Sequence, residues 1–486
     1  MKTKPTICLL NDSFPPIIDG VSNAVLNYAR IIEKNHSHSL VLTPNVPGSD
    51  DSGYDFPVVR YPSIDTRDLI GYVAGYPFSP EAAHEIENQH VSVLHTHCPI
   101  SSCLLGRALS EAYSLPLILT WHTKYDIDIA NAVKGKLLMK GALQALLRNV
   151  NACDEIWTVS DGAGKNLRSI GFEGEYIVMP NGVDRPREKV SEEFMHEVTV
   201  DLDLPQEVPC FLFIGRLMWY KGLRIILDAL KSLEIRGRDF RMVFVGGGGD
   251  ERDIKAYTEE LGLDHKVFFT GAIYDREKLR AWYRRADLFL FPSTFDTNGL
   301  VVREAAASDT ASVIVADSCA SEGVTDGQNG FLIEENSESL AEKLTALCEQ
   351  PECMKTVGKG AGDELYISWE DAVARAYDRY EVVIDNYKSG VYGKHDPLRG
   401  SLMQSQGELM QFLGDIDATG KNLKQDISEI QGDIEKTLQM VGSKAISDVR
   451  TAGLETRESI LSIGNEIKEH IQETGEDILE KLDHYL

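Results

Sequence analysis

The segment Phe291-Pro-Ser-Thr-Phe-Asp296-Thr-Asn-Gly299-Leu-Val-Val-Arg-Glu304-Ala-Ala-Ala307 sets two carboxylates, Asp296 and Glu304, on either side of a glycine-centred turn. The run Ala286 to Pro292 before it is apolar and aromatic enough for a buried strand, and from Val301 onward the pattern is that of a helix opening straight after it. Backbone N–H groups of Asn298, Gly299 and Leu300 would then point outward at a helix N-terminus, where the dipole favours an anion such as a diphosphate. Asp296 can accept hydrogen bonds from sugar hydroxyls, and Glu304, further along the helix, can reach those of a ribose. The same residues also suit an ordinary surface turn with an acidic residue near the helix start. The segment alone does not choose between the two.

Outward from this segment, short apolar runs alternate with longer helical patterns, as a parallel α/β sheet requires. In the first half the runs are Pro5 to Leu10, Ser39 to Leu42, Val91 to Leu94, Pro116 to Thr120, Glu155 to Val159 and Tyr176 to Met179. In the second they are Cys210 to Ile214, Met242 to Val245, Val267 to Thr270, Leu288 to Phe291, Val313 to Ala316 and Phe331 to Ile333. Two series of similar length predict two Rossmann-like halves, with the boundary in the polar stretch Val183 to Val208, which carries Pro186 and Pro205. Ligands of open α/β sheets bind beyond the carboxyl ends of the strands, so the expected site is a cleft between facing halves.

Composition narrows the function classes. A chain of 486 residues with 43% hydrophobic content is a normal globular protein of about two or three domains. Its eight cysteines are scattered, with no CxxC pair, no ligand-like Cys/His cluster and no leader read ahead of them. The expectation is a reduced, cytoplasmic setting without a structural metal. No run approaches the length of a membrane-spanning helix. A formal net charge of −27 would repel a phosphate backbone, which argues against nucleic acid as a partner.

Three more loops lie at expected strand ends. Asn11 to Asn23 ends in Gly20 before a helix read as Ala24 to Glu33; glycine there lets a phosphate approach and the helix start offers N–H donors, although a proline-rich turn with an ordinary helix start reads equally well. In Gly215-Arg216-Leu-Met-Trp-Tyr-Lys221-Gly222, two cations between a strand and a helix could neutralise a departing diphosphate from two directions. The run Gly246 to Gly249 permits close approach of a ligand or is a flexible turn, and it does not match a strict dinucleotide fingerprint.

In order along the chain, the Phe14-Pro-Pro-Ile-Ile-Asp-Gly-Val loop, His95-Thr-His97, Thr120-Trp-His122-Thr, Pro180-Asn-Gly-Val-Asp184, Gly215-Arg216 with Lys221-Gly222, and the paired-acid segment resemble a retaining family-4 glycosyltransferase of the GT-B fold, over roughly residues 5 to 385. The resemblance implies an α/β protein with facing Rossmann-like domains: 1–190 on the acceptor side, 191–365 for the nucleotide sugar, a closing helix 366–388 opened by Ser368-Trp369-Glu370 that packs back on the first domain, and a linker and acidic tail 389–486. It implies hexose transfer from a nucleotide sugar, UDP-glucose being favoured, with anomeric configuration kept and no metal or other cofactor in the site. Carried over by position, Arg216 and Lys221 stabilise the departing diphosphate, Glu304 contacts the ribose, and His122 sits beside the transferred sugar, with a charge easily tuned near neutral pH. Gly20, Asn298, Gly299 and Leu300 complete the donor-binding set. Asp296 stands where the family normally has Glu, a departure that shortens the side chain meeting the sugar hydroxyls.

Thr120-Trp-His-Thr-Lys-Tyr and then Lys134 to Arg148 are similar to the first-domain segment of bacterial diacylglycerol glucosyltransferases. Leu137, Leu138, Met139, Leu143, Leu146 and Leu147 could form an apolar face, with Lys134, Lys136, Lys140 and Arg148 toward anionic headgroups, which would make the enzyme a peripheral protein of the inner membrane face. An amphipathic helix packed on its own sheet reads equally well, and so does a soluble acceptor. A non-catalytic scaffold that binds a sugar nucleotide is the alternative to an enzyme. In the tail, Leu402, Leu409, Ile416, Leu423 and Ile430 recur every seven residues, an interrupted coiled coil that would support self-association through 401–486 or a protein partner, although a flexible helical tail without catalytic importance reads equally well.

Overall fold

The structure is a computed structural model, and it describes residues 4–64, 73–75, 79–125, 136–183, 190–296 and 299–392. Its strands are β1 (Thr6–Leu10), β2 (His38–Pro44), β3 (Val58–Tyr61), β4 (Ser63–Ile64), β5 (Ala74–Gly75), β6 (Val91–Thr96), β7 (Leu117–Trp121), β8 (Glu155–Thr158), β9 (Ile177–Val178), β10 (Cys210–Ile214), β11 (Arg241–Val245), β12 (Val267–Gly271), β13 (Leu288–Phe291), β14 (Ala311–Val315) and β15 (Phe331–Ile333). One sheet has the order β3-β2-β1-β6-β7-β8-β9 and the other β12-β11-β10-β13-β14-β15, while β4 and β5 form a small antiparallel pair. In the six-stranded sheet every neighbouring pair is parallel, and the strand order reverses direction at β10, the switch point of a doubly wound fold.

The described residues fall into two compact units: one runs to Leu119, with Gln144–Asp154 and the chain from Val382, and the other comprises Thr120–Leu143 and Glu155–Glu381. In the first, Cys8, Leu10, Leu40, Leu42, Leu94 and Leu117 form a core of strand residues under the Pro80–Asn88 and Ser101–Tyr113 helices. In the second, β10 is buried at every residue, which is why it reads as an unbroken apolar run rather than an alternating one. A row of rings crosses four strands, Phe269 on Phe244 at 5.1 Å, Phe244 on Phe213 at 5.8 Å and Phe213 on Phe291 at 6.1 Å. Phe213, Phe244 and Phe291 are buried and Phe269 half-buried; each fully buried ring contributes roughly 1.5–3 kcal/mol relative to exposure, so this row sets the strand ends from which the loops leave.

Most strands lie where the apolar runs predict, within one or two residues. The exceptions have local causes. The short β3 and the β4–β5 pair were not anticipated, because Val58-Val-Arg-Tyr61 is too brief and mixed to stand out. The polar stretch read as a boundary contains the Glu192–Thr199 helix, capped by Ser191, whose hydroxyl accepts from Phe194 N–H. The first long helix begins at Gly20 rather than Ala24 because Asp19 and Ser22 form a capping box there. The heptad tail, residues 401–486, lies outside the described residues.

The Trp369–Lys388 helix opens where Ser368-Trp369-Glu370 predicts it. Within the second unit it meets β8 through a forked ion pair: Arg379 donates from Nη2 to Glu155 Oε1 at 2.6 Å and from Nε to Oε2 at 3.1 Å, and Trp157 Nε1–H adds a third donor at 3.0 Å. Trp157 and Tyr380 stack at 5.3 Å beside it. Removing one member of such a pair strands the other charge, so Arg379→Met should destabilise the fold by about 3 kcal/mol in urea unfolding followed by tryptophan fluorescence. A loss under about 0.5 kcal/mol would show that the pair is energetically a surface contact.

Candidate active site

The site begins where two strands end side by side. Gly222 has φ +79°, and a Cβ there would lie 2.3 Å from the Pro292 carbonyl oxygen. Only glycine lets the loop after β10 cross the end of β13 so closely. The crossing places Lys221, at the end of the one-turn Trp219–Lys221 helix, against Asp296: Nζ donates to Oδ1 at 2.6 Å. Ser293 Oγ donates to the other oxygen, Oδ2, at 2.6 Å. The Lys221 side chain is 9% exposed and that of Asp296 26%, so the pair is shielded well beyond a surface salt bridge. The rings of Tyr220 and Phe295, 4.8 Å apart, lie 5.6 and 5.5 Å from Nζ and cover the ammonium.

The residues expected to act separately, Lys221 on diphosphate and Asp296 on sugar, are thus one neutral pair whose geometry is set in advance. Arg216 is different. It is exposed, has no carboxylate partner among the described residues, and its guanidinium lies 6.0 Å from the Tyr220 ring. The glycine run that follows β11 supports this loop. A Cβ on Gly246 would lie 1.9 Å from Gly215 O and one on Gly248 2.3 Å from Leu217 O, while Leu217 N–H donates to Gly247 O at 3.0 Å. These glycines seat one loop on another, so the flexible-turn reading is corrected.

Past Asp296, Asn298 lies outside the described residues. Gly299 has φ +55°, and a Cβ there would come within 2.8 Å of Ala320 Cα. It caps the Leu300–Ala306 helix, whose first donors, Leu300 and Val301 N–H, have no intrahelical acceptor. On that helix Glu304 Oε2 accepts from the hydroxyl of buried Tyr283 at 3.0 Å, which fixes the carboxylate's direction. At Gly20, in the first unit, the helix start already holds an anion of the protein's own. Asp19 Oδ1 already accepts from Val21 N–H at 2.8 Å and Ser22 N–H at 2.7 Å, so most of the anion-binding capacity of that helix start is taken by the protein's own carboxylate.

The Glycosyltransferase Family 4 profile matches residues 18–187, and the Glycosyl transferases group 1 profile matches residues 196–363. The chain belongs to the family-4 glycosyltransferases. It is similar to alpha-monoglucosyldiacylglycerol synthase of Streptococcus pneumoniae, 23% identical over 386 residues that cover 78% of this chain and 86% of the relative. Among solved structures it resembles sucrose-phosphate synthase of Thermosynechococcus elongatus, with TM-score 0.64 and 19% identity over 79% of this chain and 100% of that one. It also resembles Anabaena HepE in complex with UDP-glucose, with TM-score 0.56 and 19% identity over 79% and 99% of the two chains. The glycosyltransferase has the α/β GT-B fold.

In this glycosyltransferase His122 follows β7 and is 7% exposed, and burial pushes its pKa down from 6.5 to about 3. The expectation of a charge tuned near neutral pH is therefore corrected: the imidazole is neutral there, able to donate from one nitrogen and accept at the other. Because the folded pKa lies below the unfolded one, His122 favours folding fully above about pH 6.5 and progressively less as pH falls toward 3. Of the residues that complete the site, Ser293 was legible in principle, three positions before Asp296. Tyr283 carried no sequence signal, since nothing in the residues of the Arg276–Arg285 helix indicates that its hydroxyl meets Glu304. Among the described residues no three His, Cys, Asp or Glu side chains gather as a metal-binding group.

Two predictions follow from this geometry. Imidazole NMR should show His122 neutral from pH 8 down to pH 5; protonation with a midpoint near 6.5 would contradict its burial. Arg216→Ala and Lys221→Met should each lower kcat/KM by about 100-fold or more, mainly through kcat, since compensation of charge is greatest as diphosphate departs. A rise in KM with kcat unchanged would assign these cations to ground-state binding.

Proposed function

We propose that this glycosyltransferase moves a hexose, glucose in the first instance, from its UDP-sugar to the hydroxyl of a diacylglycerol-type lipid, with retention of anomeric configuration. The observation that carries the reading is the junction of β10 and β13, where the preset Lys221–Asp296–Ser293 group lies in loops that also carry Arg216 and lead into the Leu300–Ala306 helix of Glu304. In this reading Glu304 takes the ribose, Arg216 and Lys221 meet the diphosphate, Asp296 meets the sugar hydroxyls, and neutral His122 hydrogen-bonds the sugar. The bond from the anomeric carbon to diphosphate breaks as the acceptor oxygen bonds that carbon from the same face. The acceptor's proton passes to the departing phosphate oxygen. Positive charge for this step comes from side chains rather than a metal ion.

The lipid acceptor is supported by the activity in the name of the streptococcal relative, and the donor by the ligand held by HepE. Within the Lys136–Asn151 helix, Met139, Leu143 and Leu147 are half-buried, Leu146 is buried and Arg148 is exposed. Lys134, with the side chains of Lys136, Leu137, Leu138 and Lys140, lies outside the described residues. Leu146 thus serves the fold, and the exposed cation suits a peripheral enzyme working at the cytoplasmic face of a membrane. No helix among the described residues is long and apolar enough to cross one. Incubating the protein with a panel of nucleotide sugars, with and without diacylglycerol vesicles, should give UDP release and a new glycolipid from UDP-glucose only when vesicles are present. Release indifferent to vesicles would move the acceptor to a soluble molecule, and saturable binding without release from any donor would make the chain a scaffold.

A further inference from the structure

The short loop Ser293 to Asp296 is held at nearly every residue. Ser293 and Lys221 bind the two oxygens of Asp296, Phe295 packs on Tyr220, and Thr294 Oγ1 donates to Glu335 Oε1 at 3.0 Å. One further tie comes from 170 positions away: Lys124 Nζ donates to the carbonyl oxygen of Thr294 at 3.0 Å. Lys124 lies two residues beyond His122, in the segment that leaves β7.

This use of a lysine is unusual in a chain with 76 acidic residues against 49 basic ones. Lys124 is half-buried and makes no ion pair among the described residues. Lys124, Glu322 and Asp296 all act on the thiol of Cys319, which burial chiefly raises above its ordinary range while Lys124 opposes the rise. A cation given to a neutral backbone carbonyl rather than to a carboxylate fixes the path of that backbone. A charge-assisted hydrogen bond of this kind is stronger than one between neutral groups. The backbone it fixes carries Asp296 two residues later.

We propose that Lys124 is a positioning residue for sugar transfer: it anchors the Thr294 carbonyl and so sets the loop on which Asp296 meets Lys221. The proposal rests on the transferase reading above, in which Asp296 faces the transferred sugar. Lys124 does not itself hold diphosphate, so its loss should affect turnover and not nucleotide affinity. A misplacement of about 1 Å in a reacting constellation can lower a rate by about 100-fold.

The test compares Lys124→Met, Lys124→Gln and Lys124→Arg with the full-length wild-type chain, using UDP-glucose turnover, calorimetric UDP affinity and hydrogen exchange of the amides around 293–296. Lys124→Met and Lys124→Gln should lower kcat by about 10- to 100-fold, leave the UDP Kd within about twofold, and speed exchange in that loop. Lys124→Arg, which keeps the donor, should recover most of kcat and of the protection. Turnover within twofold of wild type, or a UDP affinity that falls in step with kcat, would overturn the proposal. So would lost turnover with unchanged exchange, which would make Lys124 a direct substrate contact. A wild-type chain inert toward every donor would defeat the transferase reading, and unchanged exchange in Lys124→Met would then defeat the anchoring independently.

Discussion

The site depends on a place where no side chain fits. Gly222 passes the Pro292 carbonyl so closely that a single Cβ would collide with it, and this approach brings the loop after β10 onto the loop after β13. From it follow the 2.6 Å contact of Lys221 with Asp296, the packing of Tyr220 on Phe295, and the shielding of the ammonium between two rings. The strand ends can meet so accurately because the phenylalanines of β10 to β13 lock the sheet beneath them. Packing of this density transmits position with little slack.

Charge is distributed in the same economical way. In a protein of net charge −27 a diphosphate, as the proposed function requires, would be bound against the protein's own field, so the few cations near the strand ends would carry disproportionate weight. Lys221 is neutralised in advance by Asp296, which holds it in place at the expense of net attraction. Arg216 is exposed and pairs with no carboxylate among the described residues, and a planar guanidinium suits a phosphate better than a point charge does. His122 adds no charge at neutral pH, because burial keeps it uncharged. The loops thus hold one exposed cation and one preset pair, with a neutral imidazole after β7; in the proposed transfer these would compensate a developing negative charge without large rearrangement.

Several of these parts were legible from residues alone. The buried strand and helix around Asp296 and Glu304 lie within a residue of their predicted places, because an unbroken apolar run and a glycine before a helix are strong local signals. Gly20 was ambiguous for an equally local reason: a helix start presents the same donors whether its anion is a ligand or the side chain of Asp19. The glycine run at 246–249 stayed ambiguous because close approach and freedom to bend favour the same residue. Tyr283, Lys124 and the pairing of Lys221 with Asp296 depend on contacts across long stretches of chain, which no spacing rule encodes.

The sequence by itself determined the alternation of strands and helices, the parallel α/β class, and the ordered motifs that mark a family-4 glycosyltransferase, since each is written in hydrophobic period or in neighbouring residue types. Tertiary structure alone decided which cation is paired and which is exposed, that His122 is neutral, and that Thr294 is held from 170 residues away. Those properties arise from burial and from distances of a few ångströms between segments remote in the chain. Desolvation and Coulomb energy depend on such distances, and the linear order of residues does not specify them.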